Sequence, residues 1–285
     1  MKIAGIVILY HPEATVIQYV QTYLSIVDVL YISDNSPEIN PQLANALQQI
    51  PKVQYLHDGN NMGIAYRLNQ AAKLAIAAGY EWLLTMDQDS YFEPNVAEQY
   101  MHCVAGNIQK NSTAMFGITM LEKPKQSIDC MPRQVTELIT SGSLVNLPIC
   151  IANGGFDEQL FIDLVDHEYC YRCKSKGYGI IQFDNIFLCH SIGVAIAARS
   201  VATGQRSTRS LHSPVRLYYM LRNYWYVHKK YPTGFDKELS QQKKSIQVRI
   251  KNYFLYGKHK AQLASYLLKA YMDYRKGRMG KINSN

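Results

Sequence analysis

The chain has no run of about 20 apolar residues, the length a membrane-spanning helix needs, so an integral membrane protein is not expected. Its apolar start, IAGIVILY, is too short and too thinly flanked by basic residues to read as a secretory signal, and the expected location is the cytoplasm. Cysteine is sparse: six residues (Cys103, Cys130, Cys150, Cys170, Cys173 and Cys189) are scattered through 285, which fits reduced thiols better than a disulfide framework. Cys170 and Cys173 form a CxxC, but without a second pair for zinc they read as buried thiols that pack as small hydrophobes. Acid is nearly missing from the end of the chain. Residues 241–285 hold 11 Lys or Arg against one acid, Asp273, a net +10, so the overall +8 leaves −2 for residues 1–240. No internal repeat is found, which excludes a solenoid. What is present is 47% hydrophobic residues in a chain long enough for one large domain or two small ones, and that is sufficient to bury a core.

The first half alternates short apolar runs with segments of helical period, the pattern of a parallel sheet with crossover helices. IAGIVIL (3–9) is a strand, and the spacing of Val16, Ile17, Val20, Leu24 and Val27 predicts a helix over 14–28. VLYIS (29–33) is a second strand that runs into Asp34, Asn35 and Ser36. Asn40 is the expected N-cap of a short helix with Pro41 at its first position, where a missing N–H costs nothing. VQYL (53–56) is a third strand, followed by the loop HDGNNMG and an alanine-rich helix over 64–78 that stops at Gly79. WLLTM (82–86) is a fourth strand. Asp87 and Asp89 sit at its C-terminal end, which is where open α/β sheets bind ligands. A helix is expected from near Pro94, then strands near 114–119, 135–140 and 143–147, and a tight turn at Gly154, Gly155 and Phe156. The runs YGIIQF and IFLCH read as two more strands ending at His190. Ser191–Ser213 reads as a mobile loop, and tyrosine-rich helical sequence follows from Pro214.

Four polar clusters fall at strand ends or turns: Asp34, Asn35 and Ser36; Asn60, Asn61 and Gly63; Asp87 and Asp89; and Asp166 with Glu168. Each alone is weak, because turns use Asp, Asn and Gly for backbone reasons. The Asp87–Asp89 pair fits a metal clamp, a covalent nucleophile with its acid, or a solvated turn.

Together, in order and spacing, the segments VILYHP, SDNS, NNMGIAYRLNQA, DQD, GGFDEQLFIDLVDHEYCYR, CHSIG and YYMLRNYWY resemble glycosyltransferase family 2, and within it the bacterial rhamnosyltransferase-like branch. The resemblance covers about residues 3–230. It implies an α/β protein of the GT-A (nucleotide-diphospho-sugar transferase) fold, a mostly parallel central sheet with flanking helices. Residues 1–110 would form the donor half and 111–230 the acceptor half of a 1–230 catalytic domain, with 231–285 a basic helical extension. The implied activity is inverting, metal-dependent transfer of a sugar from a nucleoside diphosphate donor of dTDP or UDP type, dTDP-rhamnose in the rhamnosyl branch. The implied acceptor is a hydroxyl of a surface polysaccharide or lipid-linked oligosaccharide.

The resemblance assigns roles residue by residue, and the chemistry agrees. An anionic leaving group calls for Mn2+ or Mg2+, and carboxylates two apart supply hard oxygen ligands. Asp89 is then the direct ligand, Asp87 holds ribose or the metal's water shell, and His190 completes the metal shell or simply packs. Asp34 reads a pyrimidine base beside Tyr10, Pro12 and Asn35, while Asn61, Gly63 and Arg67 line the donor floor. Displacement at an anomeric carbon needs a base for the incoming hydroxyl. Asp166 is the candidate, with Glu168 and Asp163 as alternatives; Val165 stands where the family often has an acid, and His167 is an unusual neighbour. Arg222, mid-helix beside Asn223, is assigned to the diphosphate or to packing.

Two rival classes are a haloacid dehalogenase-like phosphatase with Asp87 as nucleophile and a sugar-nucleotide-binding protein without turnover. In the tail, Leu263, Tyr266, Leu267, Ala270, Tyr271 and Tyr274 follow helical spacing among basic residues. Such a helix lies on an anionic membrane surface or packs on the protein. No nucleic-acid module accompanies the charge, and no nucleic-acid partner is expected.

Overall fold

The computed structural model describes residues 1–120, 129–190, 196–199, 206–209 and 211–282. Strands β1 (Ile3–Leu9), β2 (Val29–Asp34), β3 (Val53–His57) and β4 (Trp82–Asp87) are parallel and lie side by side in the order β3-β2-β1-β4. Helices α1 (Val16–Gln21), α2 (Pro41–Gln48) and α3 (Ile64–Ala77) connect them. β1 and β4 are buried along nearly their whole length, which is why both read as unbroken apolar runs. Since the chain leaves β1 toward β2 and β3 but returns to β1's other edge as β4, strand order reverses between β1 and β4. That switch point is where an open α/β sheet forms its ligand crevice.

Beyond β4 come β5 (Ser90–Tyr91), α4 (Val96–Ala105), β6 (Thr113–Met120), β7 (Pro132–Gln134), β8 (Ser143–Asn146), α5 (Leu147–Ala152), α6 (Val165–Ser175) and β9 (Gly179–His190). They extend the sheet as β4-β8-β6-β9-β5, with β7 on β9; β8 runs antiparallel to both β4 and β6, while β6 and β9 are parallel. One core cluster gathers Val7, Leu30, Leu84, Phe116, Phe183 and the α4 residues Tyr100 and Val104.

Several local expectations change. The helix predicted over 14–28 is α1 followed by a 3-10 turn at Leu24–Ile26, and Val16, Val20, Tyr23 and Val27 stay buried across the break. No strand forms over 135–140. Val135 and Leu138 are buried, and their carbonyls accept from Lys174 Nζ and the Cys170 thiol rather than from a neighbouring strand. The two runs ending at His190 are one strand, β9, which shifts register against β6 between Ile118 and Thr119. Within the stretch expected to be a loop, β10 (Ile196–Arg199) and β11 (Arg206–Arg209) pair antiparallel, and 191–195, 200–205 and 210 lie outside the described residues. The reading of six reduced thiols is also corrected, because Cys103 on α4 is joined to Cys130. A lone pair 27 residues apart has none of the regular spacing of a framework and is not recognisable from cysteine positions alone. Cys150, Cys170, Cys173 and Cys189 are free and buried, as the packing reading of the CxxC expects, and burial pushes the Cys150 thiol up to about 12.

The chain divides into two compact units, Met1–Phe161 with Val165–Ser191, and Ile162–Leu164 with Ile192–Asn285. In the second unit, α7 (Pro214–Lys230) packs against α8 (Asp236–Tyr256) and α9 (Lys260–Arg275). Leu217, Tyr253 and Leu263 form its centre, with Met220, Ile250 and Leu267 around them. Tyr271 and Tyr274 reach the Trp225 ring of α7, each at 5.7 Å between centroids. The apolar stripe of the tail is therefore largely spent on α7. No helix among the described residues is long and apolar enough to cross a membrane.

Candidate active site

The parallel register sets the site's frame. Leu9 of β1 lies opposite Asp34 of β2, and Ile8 lies opposite Asp87 of β4, so the two acids flank the C-terminal end of β1. Asp34 is buried; its carboxylate accepts from the Ser36 backbone N–H at 2.8 Å and from the Tyr55 hydroxyl at 2.6 Å. Burial and the Asp34 bond together push the Tyr55 hydroxyl above its usual value, so it remains a donor. Beside this turn, the Ser36 hydroxyl accepts from His11 N, and the exposed Tyr10 gives its N–H to Gln88 Oε1 at 2.8 Å, with Pro12 half-buried next along the chain. The strand-end residues of β1, β2 and β4 are thus cross-linked before any ligand arrives.

Arg67, expected on the donor floor, braces the loop that precedes its own helix. Its guanidinium is 1% exposed and grips Asp58 with two bonds of 2.7 and 2.9 Å. The remaining N–H groups go to Asn35 Oδ1 at 2.8 Å, Gln70 Oε1 and the Asn60 carbonyl. Five donors find five acceptors, and the Arg67 hydrogen bonds hold the Asp58 carboxyl below its ordinary value. The loop 58–62 is thereby fixed to the end of β2, because Asn35 Oδ1 also accepts from Met62 N. Asn61 Oδ1 caps Gly63 N, and Gly63 has φ 84°, a conformation open to glycine. A Cβ there would stand 2.5 Å from the Phe161 ring and carbonyl, the same carbonyl that accepts from Ile64 N.

At the end of β4, Asp87 is exposed and its N–H donates to Ser141 Oγ at 3.3 Å. Asp89 Oδ1 lies 3.2 Å from His190 Nδ1, so β9 delivers the late histidine to the DQD turn. Ser90 pairs with His190 in the β5–β9 register, and Ser90 Oγ bridges His190 Nδ1 at 3.1 Å and Ser141 Oγ at 2.9 Å. The hydrogen bond to Asp89, then the charges of Asp89 and Asp87, raise the His190 pKa above its ordinary value despite partial burial. Two carboxylates and an imidazole are hard oxygen and borderline nitrogen donors, which suit Mn2+ or Mg2+. Among the described residues, no group of three or more His, Cys, Asp or Glu side chains is gathered closely enough to hold an ion unaided.

The acids of α6 have separate fates. Glu168 is fully buried and paired with Arg172 one turn on, at 3.0 and 2.9 Å, while Arg172 also caps the Asn153 and Gly155 carbonyls. Asp166 keeps part of its carboxylate at the surface, its side chain 17% exposed. One oxygen accepts from Thr140 N at 3.3 Å; the other contacts the N–H and ring Nδ1 of His167 at 2.9 and 2.7 Å. Burial works to raise its pKa, but the His167 charge and hydrogen bonds outweigh that and leave the carboxyl below its ordinary value.

In the second unit, Asp163 is left-handed (φ 64°) and bonded to Arg216 at 3.2 Å, with the Asn223 amide donating to the Ile162 and Asp163 carbonyls. Arg222 is 1% exposed. It donates to Tyr218 OH, Asn223 Oδ1 and the carbonyls of Arg278 and Gly280, with the Tyr218 and Tyr219 rings 5.1 Å away.

Three participants escaped sequence reasoning: Ser141, Thr140 and Glu137. The segment 137–141 connects Asp87 N through Ser141 to Asp166 through Thr140 N, but serine and threonine in a loop carry no positional signal.

Residues 6–107 match the family described as Glycosyl transferase family 2. The dTDP-rhamnosyl transferase RfbF of Shigella flexneri is 27% identical over 249 residues, 80% of each chain. Among solved structures, residues 1–349 of TarS from S. aureus in complex with UDP-GlcNAc align over 96% of this chain and 80% of that one, at 14% identity and TM-score 0.59. GalNAc-T7 with UDP, GalNAc and Mn2+ aligns over 97% of this chain and 56% of that one, at 10% identity and TM-score 0.63. The expected GT-A fold is therefore present, and the chain is a glycosyltransferase that matches the family 2 description over residues 6–107 and is similar in sequence to a rhamnosyl transferase.

Proposed function

We propose that this glycosyltransferase inverts configuration as it moves a sugar from a nucleoside diphosphate donor to a hydroxyl of a surface polysaccharide or lipid-linked oligosaccharide. Rhamnose from dTDP-rhamnose is the first choice, from the likeness to RfbF. The observation that carries the reading is the switch-point edge, where register sets Asp34 and Asp87 on either side of β1's end. Asp34, held by Tyr55 and the Ser36 N–H, presents a fixed acceptor edge for the N–H of a pyrimidine base. Asn61 and Gly63, braced by Arg67, form the floor that lets the donor approach the backbone.

Asp89, His190 and Asp87 would hold Mn2+ or Mg2+, its shell completed by diphosphate oxygens; when bound, the ion neutralises the leaving charge. The chain's own chemistry is at Asp166. Its carboxylate takes the proton of the acceptor hydroxyl as that oxygen bonds the anomeric carbon, and the electron pair of the old carbon–oxygen bond leaves with the diphosphate. Glu168 is committed to Arg172, and Asp163 to Arg216. Arg222, enclosed by its own unit, is proposed to shape α7 and the end of the chain rather than to bind diphosphate directly. The phosphatase reading gives way to the family 2 match, and Asp87 stands on the fourth strand in a register set by β1.

The test is binding of UDP, dTDP and GDP sugars with and without Mn2+. A pyrimidine nucleotide is expected to bind with the ion and to lose affinity on chelation. Binding should also tighten as pH rises through the raised pKa of His190, because an imidazole must lose its proton to ligate. Failure of every pyrimidine nucleotide to bind overturns the reading.

The acceptor side has its own support in α8. Lys244, Val248, Lys251 and Leu255 recur on one exposed face, with no acid after Glu238 in that helix. A lysine and aliphatic stripe complements an anionic lipid surface. Intact protein is expected to sediment with phosphatidylglycerol vesicles and to be released by Lys244→Glu with Lys251→Glu; no sedimentation of the parent removes the membrane contact.

A further inference from the structure

His167 stands in the acceptor motif at a position for which the base chemistry just proposed has no use, yet it makes the shortest polar contact to Asp166. Its ring Nδ1 is 2.7 Å from Asp166 Oδ1, and its Nε2 is 3.9 Å from Glu137 Oε2. The first is a hydrogen bond and the second an ion-pair contact. Glu137 is itself fixed, because the hydroxyl of the buried Tyr171, one turn farther along α6, donates to its other oxygen. Thr140 N, three residues beyond Glu137, returns to Asp166 Oδ2. Helix α6 and segment 137–140 are thus joined through Asp166, through the imidazole, through Tyr171 and through the Cys170 thiol.

We propose that His167 is a positioning residue for Asp166: bridged between the Asp166 and Glu137 carboxylates, it fixes the Asp166 rotamer that receives the acceptor's proton. The inference rests on Asp166 as base. It differs from a general structural role because the ring holds one specific oxygen and leaves the other to a backbone N–H. A carboxylate tied at one oxygen by a side chain and at the other by the backbone cannot rotate about its terminal bond, and small misplacement of a catalytic group is costly. The other groups near Asp166 are accounted for. The Cys170 thiol, one turn on, is pushed up by burial and stays neutral, Arg172 is paired with Glu168, and Lys174 is bonded to the Val135 carbonyl. The imidazole, backed by Glu137, bonds Asp166 directly and sets its orientation together with Thr140 N.

Three replacements separate its contributions. Asparagine places an amide nitrogen near the position of Nδ1 and keeps the bond to Asp166, glutamine reaches toward Glu137 instead, and phenylalanine keeps shape alone. Turnover is read as dTDP release from dTDP-rhamnose with water as acceptor, and the Asp166 carboxyl is titrated by 13C NMR, assigned by its loss in Asp166→Asn. For His167→Phe, kcat is expected to fall roughly 10- to 100-fold with the donor KM unchanged. The Asp166 carboxyl should move upward, carrying the acid limb of the kcat profile with it. His167→Asn should recover more of kcat than His167→Gln.

An Asp166 titration that is the same in His167→Phe as in the parent overturns the proposal, and so does His167→Asn performing no better than His167→Phe. The titration needs no substrate, so it decides the matter even where dTDP-rhamnose is not turned over. If Asp166→Asn retains parental turnover, the base assignment falls and takes this role with it. If Asp166→Asn is inactive while His167→Phe matches the parent in rate and titration, only the role of His167 is lost.

Discussion

Asp166→Asn is expected to lower kcat for sugar transfer by roughly 100- to 10,000-fold, the range that a positioned general base supplies. Donor affinity measured by calorimetry should be unchanged, because Asp166 is held by Thr140 and His167 and not by the residues around Asp34 and Asp87. The substitution is nearly isosteric and an amide oxygen still accepts from the His167 N–H, so lost turnover reports lost basicity. A variant with parental kcat would move the base elsewhere.

The same carboxyl predicts a pH signature. Its pKa lies below the ordinary carboxylate value because the His167 charge and hydrogen bonds prevail over burial. A folded-state value below the unfolded one means that the ionised group stabilises the fold, fully so above the unfolded pKa and progressively less as pH falls through the folded one. The parent should therefore be more stable than Asp166→Asn at neutral pH, with the two converging in acid.

Residues 1–107 were largely legible in the sequence. β1, β2 and β4, the Asn40 cap and the Gly63 turn follow from local rules, because parallel strands buried on both faces read as unbroken apolar runs. The stretch that follows, to His190, was less legible for physical reasons. Segment 135–140 has strand-like residues, but after Val135 N, which bonds Ile180 of β9, the carbonyls of Val135 and Leu138 turn to a helix's lysine and thiol, and only tertiary contact decides this. The Cys103–Cys130 pair depends on the distance between α4 and the approach to β7, which no spacing records. Among site residues, Arg67 shows the limit most clearly. An arginine in a donor-loop motif reads as a ligand-binding cation, yet its five N–H groups are all consumed by the loop it supports.

Glu168→Ala should cost about 3 kcal/mol of stability, the lower part of the range for removing one partner of a buried ion pair. In a unit of this size that lowers the melting temperature by roughly 6–12 °C. Glu168 is fully buried, and Arg172 loses that carboxylate while its guanidinium stays anchored to the Asn153 and Gly155 carbonyls. The glycine turn depends on that anchor: Gly154 and Gly155 have φ of 84° and 71°, and the Asn69 amide of α3 spans Phe156 N and its carbonyl. Loosening Arg172 therefore loosens the hold of α6 on the glycine turn, which Asn69 of α3 holds from its other side, and with it the approach to Asp166. At temperatures well below the new melting point, kcat should fall far less than in Asp166→Asn, because the base keeps its Thr140 and His167 partners. Equal losses of kcat in the two variants, with Glu168→Ala still folded by circular dichroism, would transfer the catalytic role to Glu168. Two acids two residues apart on one helix are thus separable by experiment as they are by burial: Glu168 is expected to sustain the fold and Asp166, in the proposed mechanism, to receive the proton.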